Sequence, residues 1–208
     1  MLKIYGRANS INVRKVLWTA DEIGIPFDRE DWGRGFRPLS DPEFQALSPF
    51  ALVPVIDDDG FVLAESHAIA RYLAAKHSRT DLLPADPKSR GVVESWMDWQ
   101  GTEVSNAHRG AVMAHVFKIT LPGGQEVVDA SLREWPKRMA VIEAQLQKTG
   151  AYIVGPDFTL ADICIGLTVN RWFGTPTGTK PDFPATSAYY DRLAERPAYV
   201  RHGRNGTP

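Results

Sequence analysis

Short apolar runs alternate with helically spaced apolar positions over the first part of this chain, whereas only helical spacing follows. Residues 2–5 predict a strand, and Val13, Val16, Leu17, Ala20 and Ile23 fall at helical spacing with Gly24 as the stop. Phe27 to Asp31 predicts a second strand, and residues 32–38 predict an irregular loop. Asp41 followed by Pro42 predicts a short helix, with the aspartate as cap and the proline at its first position. Val53 to Ile56 and Phe61 to Leu63 predict two more strands, joined at Asp58-Asp59-Gly60, because Asp-Gly between apolar runs is a strong hairpin signal. A helix from Ser66 to His77 closes the series. The order strand, helix, strand, short helix, strand, strand, helix describes one α/β unit with a mixed sheet.

The polar, proline-punctuated stretch from Thr80 to Pro87 reads as a linker. The expected organisation is therefore an α/β domain over residues 1–79, a linker over 80–87 and an all-helical domain over 88–208. Within the last, helical patterns cover residues 89–116 and 125–148, the second stopped near Gly150. Thr159-Leu160-Ala161-Asp162 resembles a capping box ahead of the apolar run Ile163 to Leu167. A further helix over 186–195 is expected to stop before Pro197, and the Gly-rich tail from Arg201 to Pro208 is expected to be loose.

Composition narrows the possible partners. The chain has 208 residues, 43% of them hydrophobic, enough for one large core or two modest ones. A formal net charge of -1 and a pI near 6.5 give no electrostatic basis for nucleic acid or an anionic membrane, so neither partner is expected. No apolar run approaches the roughly 20 residues that cross a bilayer. Met1-Leu2-Lys3 leads into Ile4-Tyr5 without a signal-peptide pattern, and the cytoplasm is the expected compartment. The single cysteine, Cys164, allows no intrachain disulfide, CxxC pair or cysteine-rich zinc site, and no metal is expected. Its neighbours Ile163 and Ile165 predict buried packing.

The candidate chemistry begins between Leu52 and Ser66. Proline cannot donate to a strand ladder, so Pro54 at the mouth of an apolar run predicts a turn, suits a cis Val53-Pro54 bond and points the Val53 backbone outward. Glu65 and Ser66 stand where a helix starts. Free N–H groups and the helix dipole favour a carboxylate or phosphate there, and Glu65 suits an ammonium.

With its thioredoxin-like order, its proline before the third strand and its helical domain, the chain resembles a cytosolic glutathione transferase of bacterial type. Ser10-Ile11-Asn12-Val13-Arg14-Lys15 is similar to the family's active-site turn, Val53-Pro54 with Glu65-Ser66 to its glutathione-binding signature, and Thr159 to Asp162 to its helical capping motif. The resemblance implies a thioredoxin-like N-terminal domain followed by an all-helical C-terminal domain, glutathione as co-substrate, a small electrophile as second substrate, and a homodimer. It also implies that Val53 pairs with the cysteinyl backbone of glutathione, Glu65 with the γ-glutamyl ammonium and Ser66 with the γ-glutamyl carboxylate. Leu52 stands where many relatives carry a basic or amide side chain, which leaves His67, Arg34 or Arg37 to meet the glycyl carboxylate.

The reactive species is the thiolate, and a free thiol has a pKa near ~8.5. A hydroxyl donor at the positive end of a helix stabilises it, which Ser10 can do; the alternative for Ser10 is a plain helix cap. Asn12 is its rival as the thiol donor, while Tyr5 falls within the strand pattern. His108, Arg109, Met113 and Trp172 are candidates for the electrophile wall, with Trp96 and Trp99 beside them, and Asp98 is a candidate for reaching a partner's glutathione. Conjugation is the leading expectation. Glutathione-dependent disulfide or peroxide reduction, and a non-catalytic glutathione-binding or dimerisation module, are the alternatives.

Overall fold

Strand β1 (Leu2–Tyr5) sends successive side chains to opposite faces, and this alternation separates two cores. Leu2 and Ile4 join Val13, Val16, Leu17, Ala20, Ile56, Ile69 and Leu73 on one side. Tyr5 joins Trp32, Phe44 and Val55 on the other. The computed structural model describes all 208 residues, which divide into two units, Met1–Pro84 and Ala85–Pro208.

In the first unit β1 is followed by α1 (Ile11–Ile23), β2 (Phe27–Glu30), α2 (Pro42–Leu47), β3 (Val55–Asp58), β4 (Phe61–Ala64) and α3 (Ser66–Lys76). The sheet order is β2-β1-β3-β4, with β1 parallel to β2 and the other two pairings antiparallel. The mixed sheet expected from the sequence is present, and so are its local signals. Gly24 ends α1 at φ 82°, and the Asp41 side chain accepts from the Glu43 N–H at 2.9 Å. Asp59 and Gly60 both have positive φ, 52° and 92°, as a two-residue hairpin matched to strand twist requires. The loop after β2 is more ordered than its composition predicts. Trp32 is fully buried against Phe44, their rings 5.1 Å apart, and the Arg37 guanidinium stacks on the indole at 3.8 Å.

The second unit is helical: α4 (Pro87–Trp99), a π-helical turn (Gln100–Val104), α5 (Ser105–His115), α6 (Gly124–Thr149), α7 (Leu160–Gly174), α8 (Pro184–Leu193) and α9 (Pro197–His202). The helix predicted over 89–116 is thus interrupted by a wider turn, onto which the Ser105 hydroxyl at the start of α5 donates back to Gln100 C=O at 2.8 Å. α5 and α6 approach closely at Gly110, where a β-carbon would lie 2.5 Å from the Val127 carbonyl oxygen. Ser131 fastens this contact by donating to Ala107 C=O and accepting from the Ala111 N–H. α7 is the central element, and Cys164 sits in it fully buried.

α8 stops before Pro197, as expected, whereas the expectation of a loose tail is corrected. Pro197 then opens a further short helix, since its fixed φ and missing N–H suit the first turn of α9. The tail is held as well. Asn170 donates to Thr207 C=O at 2.8 Å, and a β-carbon on Gly174 would touch Pro208.

The α7 start is organised by Asp162. Its carboxylate is fully buried and accepts from the Ile153 and Thr159 N–H groups, both at 2.9 Å, and from the Tyr189 hydroxyl at 3.0 Å. Burial pushes this carboxyl up to about 6, against the donors that favour its charged form. In Asp162→Asn either amide orientation sets an NH2 against a buried N–H, and a loss of about 2 kcal/mol is expected. Urea unfolding should show a lower midpoint at an unchanged slope.

Candidate functional site

The turn between β1 and α1 and the turn before β3 come together because Gly6 lacks a β-carbon. At φ 147° a β-carbon there would lie 2.5 Å from Val13 Cγ2 and 3.0 Å from Val53 Cβ. Val53 is followed by a cis bond to Pro54. Neither the Val53 N–H nor its C=O makes a backbone hydrogen bond within the chain, so both remain available to an extended ligand.

One depression of about 140 Å³ is lined by Asn12, Phe50, Leu52, Val53, Pro54, Ala64, Glu65 and Ser66. Six of the candidates named for glutathione and its thiol, Asn12, Leu52, Val53, Pro54, Glu65 and Ser66, therefore share one hollow. Glu65 holds φ 71°, a strained conformation for a residue with a β-carbon, and its side chain does not cap α3. Its C=O already accepts from the Ile69 N–H at 2.9 Å, which starts the helix and leaves the first α3 amides without an intrahelical acceptor. Ser66 is the first residue of that helix and is buried.

Ser10 stands at the α1 cap position with extended backbone angles, φ -85° and ψ 125°, yet its hydroxyl makes no cap hydrogen bond. The plain-cap alternative is thus not how this serine is used. It is 8% exposed, and its C=O accepts from the Arg14 N–H at 2.9 Å. Tyr5 packs with Trp32, Phe44 and Val55 in the core.

The candidates for the glycyl carboxylate fare differently. Leu52 is 59% exposed on the rim and brings no charge. Arg37 is committed elsewhere, donating to Glu30 at 3.0 Å and Glu43 at 2.6 Å. His67 Nε2 lies 2.9 Å from Lys15 Nζ. Arg34 lies near Arg7, a residue the sequence reading passed over. Burial first, and then the Arg34 charge, pull the Arg7 guanidinium below its ordinary range, and its Nε has no acceptor. Arg7 directly follows Gly6, so the pair gives this end of the unit a positive rim. Lys15 was also missed; it is 1% exposed and donates to Asn12 Oδ1 at 3.2 Å. The available signal was its position on one α1 face with Asn12 and with Thr19, whose hydroxyl donates to the Lys15 C=O at 2.8 Å.

In the helical unit the four electrophile-wall candidates do not form one surface. His108 and Trp172 are buried and joined through Trp135, with ring separations of 5.4 and 5.1 Å. Arg109 lies on a cavity of about 580 Å³ between α5 and α6, with Glu103, Glu134 and Arg138 on its wall. Met113 is half-buried on α5. No group of side chains suited to a metal ion is present.

Residues 9–76 match the family described as glutathione S-transferase, N-terminal domain, and residues 102–197 match glutathione S-transferase, C-terminal domain. The chain belongs to the glutathione S-transferase family. It is 37% identical over 200 residues to glutathione S-transferase GstB of Escherichia coli (strain K12), covering 95% of each chain. It is 31% identical over 206 residues to glutathione S-transferase 3 of Zea mays, covering 96% of this chain and 92% of the relative. Among solved structures it is similar to the theta class glutathione S-transferase of the citrus canker pathogen Xanthomonas axonopodis pv. citri with glutathione bound. That match has a TM-score of 0.88 at 34% identity and covers 97% of this chain and 96% of the other. The glutathione S-transferase fold of this chain thus rests on sequence and structure together.

The close approach at Gly6 is open to test. Gly6→Ala should cost about 2 kcal/mol or more, because the backbone angle is strained and the new methyl overlaps Val13 and Val53. Urea unfolding at the stability of the wild type would show that the two turns are not held by this contact.

Proposed function

We propose that this glutathione S-transferase activates the thiol of glutathione as a thiolate and conjugates it to small, partly apolar electrophiles. The observation that carries the reading is the single hollow shared by Asn12, Val53, Pro54, Glu65 and Ser66. Its chemistry suits the γ-glutamyl and cysteinyl parts of the tripeptide. The Ser66 hydroxyl and the first α3 amides suit the γ-glutamyl carboxylate, and Glu65 suits the γ-glutamyl ammonium. The Val53 N–H and C=O suit the cysteinyl backbone in strand-like pairing. Arg7 and Arg34 supply positive charge for the glycyl carboxylate in place of Leu52.

Ser10 and Asn12 are the donors for the sulfur at the positive end of α1. Lowering the thiol pKa by about two units requires ~2.7 kcal/mol of preferential thiolate stabilisation, within reach of a charge-assisted hydrogen bond and a helix terminus. The thiol proton leaves to solvent. The thiolate then attacks the electrophilic carbon, forming the C–S bond as halide or another leaving group departs with its electron pair, or as an epoxide or activated double bond opens. Of the electrophile-wall candidates, Arg109 and Met113 retain solvent access, whereas His108 and Trp172 serve the aromatic core. No helix is long and apolar enough to cross a membrane. A homodimer acting in the cytoplasm completes the proposal.

Calorimetry and steady-state kinetics test it. Glutathione should bind the wild type in the micromolar to millimolar range. Ser10→Ala should lower turnover by roughly 10²-fold or less with little change in affinity. Glu65→Ala should weaken affinity by about tenfold, the loss of one charge-assisted contact. A protein that binds no glutathione in that range cannot be this enzyme.

A further inference from the structure

We infer that Lys15 is a positioning residue that fixes the amide of Asn12 so that its N–H groups face the glutathione thiol. The inference rests on the glutathione reading above and adds the group that sets the donor. Lys15 lies one turn after Asn12 on α1 and is 1% exposed. Its Nζ stands 3.2 Å from Asn12 Oδ1 and 2.9 Å from His67 Nε2.

An ammonium has three donors and no acceptor. The Asn12 atom that faces it must therefore be the carbonyl oxygen, since the flipped amide would set donor against donor. Asn12 is exposed and lines the hollow beside Val53, Glu65 and Ser66. With Oδ1 held by Lys15, the Asn12 NH2 is the part of the amide left for a ligand. A donor is what a developing thiolate requires; the opposite orientation would present a carbonyl oxygen and repel it.

The same logic fixes His67. Its Nε2 accepts from Lys15, so the neutral ring carries its proton on Nδ1. Lys15 thereby links the first turn of α1 to the first turn of α3, where Ser66 and His67 begin that helix. The two helix starts that would hold opposite parts of the ligand share one ammonium. His67 is thus an anchor for Lys15 and not the contact for the glycyl carboxylate that the sequence offered.

Kinetics on single and paired variants test the assignment. Lys15→Met should lower kcat by roughly tenfold while KM for glutathione stays within about twofold, and Lys15→Gln, which keeps an N–H donor for Asn12 Oδ1, should recover most of it. In an Asn12→Ala background Lys15→Met should cost nothing further. Equal losses in both backgrounds would show that Lys15 does not act through Asn12. Asn12→Asp adds a check that leaves Lys15 in place: its carboxylate keeps an acceptor toward the ammonium but offers no N–H, so kcat should fall as far as in Asn12→Ala. Retained kcat in Asn12→Asp overturns the inference even if the Lys15 variants fail to fold. Glutathione binding by the wild type separates the two levels, because its absence sinks the functional reading, whereas binding with additive variants sinks only the role of Lys15.

Discussion

Backbone groups that a fold leaves without partners must find them in water or in a ligand, and this constraint organises the N-terminal unit. The Val53 N–H and C=O make no backbone pairing, and the first amides of α1 and α3 have no intrahelical acceptor by the geometry of a helix start. Gly6 brings the Val53 turn against the first turn of α1, and the hollow extends from Asn12 to Ser66. In the proposed reading, an extended tripeptide with a carboxylate, an ammonium and a thiol satisfies these groups together.

The helical unit depends on a different kind of satisfaction. Asp162 and Glu143 are buried carboxylates whose oxygens are taken by donors around the starts of α7 and α8: Ile153 in the preceding loop and Thr159 at the cap for the first, Ala185 and Thr186 for the second. Each fixes a helix start from within the core, where removing a partner would leave a charge stranded. The tail is closed onto the same unit by Asn170 and Gly174. This unit owes its shape to internal polar anchors, whereas the N-terminal unit keeps its polar groups open at the hollow.

What the sequence made legible was local. Gly24 as a stop, Asp41 as a cap, Asp59-Gly60 as a hairpin turn and Thr159 with Asp162 as a helix start each depend on residues within a few positions of one another, and each has the expected geometry. The order of elements and the mixed sheet followed from the same signals. Less legible was anything carried by distant pairs. Lys15 and His67 are 52 positions apart, and a lysine at helical spacing from Asn12 reads from sequence as a solvated charge, yet α1 is buried on every side from Val13 to Ala20. Arg7 and Arg34 meet only once the loop after β2 folds back, and Arg37 is spent on Trp32, Glu30 and Glu43. The order of the C-terminal tail was hidden for the same reason.

These elements converge on one quantity, the ionisation of a bound thiol. Ser10 keeps a hydroxyl unspent on capping, Lys15 turns the Asn12 amide toward the hollow, and α1 adds its positive end. Titrating enzyme-bound glutathione by the ultraviolet absorbance of its thiolate measures the sum directly. A thiol pKa about two units below the free value of ~8.5 is the predicted result. A bound thiol that titrates where the free one does would contradict the account.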